Sequence, residues 1–279
     1  MPGDALKGPI SRSARAAFGV ALALLLLVVF GAHLGGEWIW DDAYVIEKNR
    51  NLDGIAGLGA LLTHDAWGSV GQRSTELYHP LPMALLWLEN AFFGRSVPAF
   101  RAVSIMLHGL CTSLLFAWMK KRGLPVAGAA FASLLFAVHP LVTEPVMWIT
   151  AQNDTLAAAF CLAGLLALPP AESRQPVLRC LAVALAAAGA ALCKEPYFAF
   201  PLVAAIAALV APDRGAPRRV GARIAGPFLA VALVVLLRHA LGITTGSQRA
   251  GAGLPALTAD YLTIVVHYLG HVVTFTNPP

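Results

Sequence analysis

Charge is what this sequence has least of. Only 13% of its 279 residues are Asp, Glu, Lys or Arg, against about 25% in a soluble domain. So few charges cannot cover a water-exposed globular surface, which excludes an ordinary soluble domain. Cysteine is scarce as well. Cys111, Cys161, Cys180 and Cys193 all lie in apolar runs with no close C-x-x-C pair, which argues against a zinc ribbon or a disulfide framework. No internal repeat of fixed period occurs, so a solenoid is not indicated. A basic patch is missing too. The net charge is +5 and the isoelectric point is near 9.2, yet the basic residues fall in short clusters between apolar stretches. That distribution is an orientation signal of membrane proteins and does not indicate a nucleic-acid partner.

What is present is apolar sequence. Hydrophobic residues make up 58% of the chain and the mean hydropathy is +0.69. A membrane-spanning helix needs roughly 20 apolar residues. Phe18–Leu34, Phe100–Met119, Leu124–Val138, Thr155–Leu168, Val177–Cys193, Tyr197–Val210 and Ile224–Leu241 qualify as spans or near-spans. Tyr261–Phe275, with His267 and His271, is a shorter eighth. The expected fold is therefore an all-α polytopic membrane protein with about 7–8 transmembrane helices. The first run is longer than the apolar core of a signal peptide and is read as a retained span. Residues 35–98 form a large polar loop holding two amphipathic pieces, Ile55–Leu62 and Leu81–Phe93. The second is too short to span and is read as an interfacial helix.

The basic residues give the sidedness. Lys7, Arg12, Arg15, Lys120, Lys121, Arg122, Arg174, Arg179, Arg214, Arg218, Arg219 and Arg223 all fall on one side of the spans. The opposite side carries the acid-rich loop with Glu37, Asp41, Asp42, Glu47, Asp53, Asp65 and Glu76. The positive-inside rule puts the N-terminus in the cytoplasm. It also puts three polar motifs on the extracytoplasmic face: Asp41-Asp42, the segment from His139 to Asp154, and Lys194-Glu195. The Ala-, Gly-, Pro- and Arg-rich composition leans toward a bacterial inner membrane.

Adjacent carboxylates beside a bilayer repel one another and lose hydration, which makes Asp41-Asp42 a functional candidate. The pair suits a catalytic base. It is thin as a divalent-metal site, since Mg²⁺ or Mn²⁺ needs further oxygen ligands. A solvated loop start is the plain alternative. His139-Pro140 breaks a helix. Glu144 and Trp148, four residues apart, can share one face of a short surface helix, and His139 with Glu144 can form a buried couple. Lys194 can snorkel to headgroups or bind a lipid-linked phosphate, with Glu195 as its salt-bridge partner. Arg101 and Arg238 are further cations near the outer ends of their spans.

These residues, in their order, resemble a known family. Trp40-Asp41-Asp42 is followed by Ile46 and Asn49, Tyr78-His79-Pro80-Leu81, Gly94 and His108. Then come Phe136-Ala137-Val138-His139-Pro140, Thr143-Glu144, Trp148-Ile149, Asp154 and Lys194-Glu195. Over roughly residues 35–200 this resembles the transmembrane O-mannosyltransferases with tetratricopeptide repeats, of the GT-C glycosyltransferase superfamily, in a bacterial-type form. The family pattern has Arg where this chain has His79 and again where it has Gln152.

The resemblance implies one GT-C-like membrane domain over residues 1–279, incomplete at its C-terminus, with residues 35–98 as the first extracytoplasmic loop and no tetratricopeptide repeat domain. It implies transfer of a sugar, typically mannose, from a polyprenyl-phosphate donor to a hydroxyl, with inversion. Asp41 or Asp42 would be the base. Lys194, Arg101 and His79 would meet the donor phosphate. His139, Glu144, Asp154 and Glu195 would shape the site. The partners would be a lipid-linked sugar, a protein or glycan acceptor of unknown identity, and the bilayer. No cofactor is required by this chemistry; a divalent cation (Mg²⁺ or Mn²⁺) at Asp41 and Asp42 is the weaker option. Two other readings remain open, a transporter or flippase for a lipid-linked or anionic substrate, and a non-catalytic membrane scaffold.

Overall fold

The computed structural model describes residues 10–65, 77–170, 173, 175–210 and 217–243. The expected eighth span, with His267 and His271, lies outside these residues, as do Lys7, Glu76, Arg174 and Arg214. Every regular element among the described residues is helical. The main helices are α1 (Arg12–Phe30), α2 (Leu58–Thr63), α3 (Pro80–Phe93), α4 (Val97–Lys121) and α5 (Val126–Val138). They continue as α6 (Thr143–Met147), α7 (Gln152–Ala167), α8 (Pro176–Ala191), α9 (Phe200–Leu209) and α10 (Pro217–Ala240). Three described helical stretches are long and apolar enough to cross a membrane: Arg12–His33, Val97–Lys121 and Ile149–Ala167. Val126–Val138 with Pro140–Met147 passes only as a pair bent by 56°, and Pro176–Ala191, Glu195–Leu209 and Ile224–Ala240 are shorter apolar helices. The chain is thus an all-α membrane protein.

Local chemistry sets the helix ends. Ser11 caps α1 by accepting a hydrogen bond from the Ala14 backbone N–H, satisfying one of the free donors of the first turn. Pro lies in the first turn of α3, α4 and α8, where a missing N–H costs nothing. Pro140 ends α5 and bends the chain, since a proline cannot continue the ladder. α10 begins at Pro217, seven residues before the expected span Ile224–Leu241.

The helices turn apolar side chains outward as well as into the core, and α4 adds an inward polar row. α1 exposes Val20, Leu24, Leu27 and Val28, and α8 exposes Leu178, Leu181 and Leu185. In contrast, α4 buries Ser104, His108 and Thr112 at four-residue spacing. His108 Nε2 lies 3.0 Å from the Ala137 carbonyl, and Thr112 donates to the His108 carbonyl. Apolar residues outside suit hydrocarbon as solvent, and backbone carbonyls take up the inward polar groups. α3 carries apolar residues on both of its faces. Of its expected stripe, Leu88 and Phe92 are exposed and Leu81 and Leu85 half-buried, while Pro82, Met83, Leu86 and Glu89 are buried, Met83 and Leu86 within an apolar core. α7, α8 and α10 pack in sequence, with α4 against both α5 and α7. The packing is close at Gly164, where an added Cβ would stand 2.7 Å from the Phe200 ring.

Candidate active site

The Asp41-Asp42 turn is shaped by strain and by an arginine clamp. Trp40 has φ 49°, a left-handed conformation that costs a non-glycine residue roughly 1–2 kcal/mol. Such strain persists only where surrounding contacts enforce it. One contact is the edge-on packing of Trp40 against Trp148, ring centroids 5.1 Å apart. Another is Arg101, in the first turns of α4 and 4% exposed. Its guanidinium donates to the backbone carbonyls of His33 (3.2 Å), Gly35 and Glu37 (2.7 Å). Gly36, at φ +113°, passes so close that a Cβ would sit 3.1 Å from Arg101 Nη1. Trp38 packs edge-on against Phe100. Position 36 therefore needs glycine both for its backbone and for its neighbour.

The two carboxylates have different fates. Asp42 is fully buried. It accepts from the Ile39 N–H at 3.2 Å, the Thr150 N–H at 2.8 Å and the Thr150 hydroxyl at 2.6 Å. Burial nevertheless holds its pKa above the usual carboxylate value, outweighing the bonds from Thr150 and Ile39 that stabilise the anion. Asp41 is half-buried, and no hydrogen bond or ion pair engages its carboxylate among the described residues. Beside the turn lies a cavity of about 380 Å³ lined by Ala32, His33, Gly35, Ile39, Arg101, Thr143 and Met147. Two buried N–H groups, Arg101 Nε and Trp148 Nε1, lack a partner among the described residues.

Thr150 starts a second cluster. Asp154, one helical turn beyond it, forms an ion pair of 2.6 Å with Lys194, and Tyr197 donates to the Asp154 carbonyl. The pairing expected between Lys194 and Glu195 does not occur. Lys194 is extended, with φ −165° and ψ 145°, so consecutive side chains point to opposite sides. Glu195 instead bridges His79 Nε2 at 2.8 Å and Arg238 Nη1 at 2.7 Å. Burial pushes the Glu195 carboxyl upward, but His79 and Arg238 outweigh it and hold the pKa down at about 2. Arg238 is 3% exposed and lies over the rings of Tyr78 and Phe198 at 5.8 and 5.7 Å, within cation–π range. A guanidinium from α10 thus shares Glu195 with His79, the position at which the resemblance expects arginine.

The remaining candidates are placed as follows. His139 is half-buried and turns inward on its own chain, Nδ1 accepting from the Leu141 N–H. Glu144 is exposed, so the buried His139–Glu144 couple does not form. Trp148 is the residue at which α6 ends and lies in extended backbone, so Glu144 and Trp148 do not share a continuous helix face. Arg101 stands on the Asp41 side, whereas His79 stands with Glu195. No group of three or more His, Cys, Asp or Glu that could hold a metal occurs among the described residues. Asp42 already spends its oxygens on three donors, which leaves Asp41 alone. The residues present therefore do not fit a resident Mg²⁺ or Mn²⁺, which takes several oxygen ligands. Thr150 carries no signal in the sequence; the tertiary fold alone reveals its part.

Membrane-capable helices with a strained acidic turn and paired cations at the ends of α7 to α10 define a polytopic membrane protein with a polar site. The sequence profile of the dolichyl-phosphate-mannose-protein mannosyltransferases matches residues 78–241. This chain belongs to that glycosyltransferase family. Similar proteins include the human protein O-mannosyl-transferase TMTC1, 37% identical over 142 residues, covering 50% of this chain and 16% of the relative. The mouse TMTC4 enzyme is 31% identical over 159 residues, covering 51% and 22%. The protein O-mannosyl-transferase F38B6.6 of Caenorhabditis elegans is 30% identical over 170 residues, covering 59% and 25%. The chain thus spans a quarter or less of the length of these relatives. No solved structure matches it.

Proposed function

We propose that this chain forms the catalytic membrane part of a polyprenyl-phosphate-sugar-dependent O-glycosyltransferase of GT-C type. The sugar is mannose and the acceptor a protein hydroxyl, as in the names of its relatives. The observation that carries the reading is the division of labour in the carboxylate pair, one tied and one unengaged among the described residues. Asp41 is the base. It takes the proton from the acceptor hydroxyl as the oxygen attacks the sugar C1 from the face opposite the lipid phosphate. The C1–O bond to phosphate breaks with its electron pair, and the configuration inverts. Asp42, held by Thr150 and Ile39, fixes the turn. Fixed positive charge offsets the charge developing on the leaving phosphate; Lys194, His79 and Arg238 are suited to this, and the Arg101 Nε–H to a phosphate oxygen in the adjoining cavity. His139, Glu144, Asp154 and Glu195 shape the site. The acidic face is extracytoplasmic and the N-terminus cytoplasmic, supported by the basic clusters on the other side. Composition supports a bacterial inner membrane.

The test is transfer of mannose from a polyprenyl-phosphate donor to a serine- and threonine-bearing peptide, using the full-length protein in liposomes. Transfer is expected in the native protein and lost in Asp41→Asn. Undiminished transfer by a folded Asp41→Asn variant overturns the assignment. The carboxylate partners of Lys194, His79 and Arg238 favour one second reading, a scaffold that holds lipid phosphate without turnover. Donor binding with no transfer by the native full-length protein selects it.

A further inference from the structure

Glu89 lies on α3, outside the helices able to cross a membrane, and is 3% exposed. Its partner is Gln152, 1% exposed, at the first residue of α7. Gln152 Nε2 shares its two hydrogens among the Phe100 carbonyl at 3.2 Å, Ser104 Oγ at 2.9 Å and Glu89 Oε2 at 3.5 Å. The Phe100 carbonyl can only accept, which fixes the amide with its nitrogen on that side. Two buried oxygens are then left over, Glu89 Oε1 and Gln152 Oε1, neither with a hydrogen-bond partner among the described residues. Both are acceptors, and both belong to groups already in contact. An ionised Glu89 would bury an anion and two orphan acceptors together, at a cost of several kcal/mol. One proton removes the whole penalty.

From this we infer that Glu89 is held as a neutral carboxylic acid, its Oε1–H donating to Gln152 Oε1 while Gln152 Nε2 donates to Glu89 Oε2. This two-bond acid–amide ring makes Glu89 a positioning residue. It fastens α3 to the short stretch in which Thr150 holds Asp42 and Asp154 holds Lys194. Burial agrees with this, pushing the Glu89 pKa up to about 8. Around α3, α2 bears no charged residue and the Arg50–Leu52 turn brings an exposed Arg50. α4 brings Arg101 and His108, both engaged with backbone carbonyls, and Lys120 and Lys121 at its far end. α7 brings Asp154, engaged with Lys194. Among the described residues, Gln152 is the side chain whose interaction bears on the Glu89 proton. The ring opens as pH rises through about 8.

The ring is read by infrared spectroscopy of the full-length protein in bilayers. A protonated-carboxyl C=O band is expected at neutral pH, sensitive to D₂O, absent from Glu89→Gln and lost as pH rises through the Glu89 pKa. Glu89→Gln can form the same ring with its amide, so it should unfold near the native temperature, whereas Glu89→Ala should unfold well below it. The absence of an assignable band at neutral pH, or a Glu89→Gln variant as unstable as Glu89→Ala, overturns the inference. The positioning role rests on the proposed transferase reading. There, native transfer should fall several-fold across the alkaline limb while Glu89→Gln stays flat; parallel profiles overturn that role. Absent transfer in both proteins counts against the proposed reaction, and the infrared band still decides the ring.

Discussion

Two acidic sites in this molecule treat their charges in opposite ways. At Asp41-Asp42 one carboxylate is sealed by three donors and the other is unengaged among the described residues. At Lys194-Glu195 both charges are answered by protein: Asp154 takes Lys194, and His79 with Arg238 takes Glu195. Burial decides the first carboxylate, whose pKa rises; ion pairing decides the second, whose pKa falls. The contrast teaches that neighbouring charges in a membrane protein need not act as a unit. The first doublet ties one member and the second ties both, each to a separate partner.

The largest effect should come from Asp41. Asp41→Asn should lower sugar transfer by on the order of 10²–10⁴-fold, the usual contribution of a general base, with little change in thermal unfolding. If Asp42→Asn gives the larger kinetic loss with its fold intact, the division of labour is reversed. Next is Arg238→Leu, which leaves Glu195 with only His79. Breaking a buried pair from one side costs about 3–5 kcal/mol, visible as a lower unfolding temperature, and Glu195→Gln in the same chain should recover part of it. Thr150→Val removes the hydroxyl bond to Asp42 but keeps the backbone one. It should cost about 1–3 kcal/mol and reduce transfer through a misplaced turn, as read in the same unfolding and transfer assays.

The acid limb gives a smaller effect. The Glu195 pKa is held at about 2, below the carboxylate value of about 4.3 expected in the unfolded chain. The stability it contributes is therefore complete above the unfolded value and is lost as pH falls through about 2. Unfolding temperature measured down the acid range should decline more steeply in the native protein than in Glu195→Gln. Equal slopes would mean that the His79–Glu195–Arg238 bridge adds nothing. The smallest effect is at Trp40, where Trp40→Gly relieves a left-handed backbone worth roughly 1–2 kcal/mol and gives up the Trp148 contact. Near-neutral stability with reduced transfer is the outcome to look for in paired unfolding and turnover measurements.

Much of the helical frame was legible in the sequence. α1 and α4 stand out as long apolar runs because hydrocarbon demands about 20 such residues. Pro140 marked the break after α5, and the Leu81–Phe93 stripe marked α3. The stripe was readable as amphipathic, but its direction was not. Leu88 and Phe92 are exposed, while Met83 and Leu86 join Glu89 on the protein side. The candidate site was half legible. Trp-Asp-Asp, His139, Asp154 and Lys194 carry recognisable spacing, whereas Thr150 and Gln152 look like ordinary residues of a helix start.

By itself the sequence determined the class: an all-α membrane chain and a family shared with mannosyltransferases through residues 78–241. Those features are local or periodic, and one dimension carries them. Tertiary structure alone decided which carboxylate is unengaged, which cation meets which acid, and that Gln152 faces Glu89. Such pairings join residues 63 positions apart in one case and 108 in another. They arise where packed helices exclude water, since only there does an unpaired polar atom cost enough to select its partner.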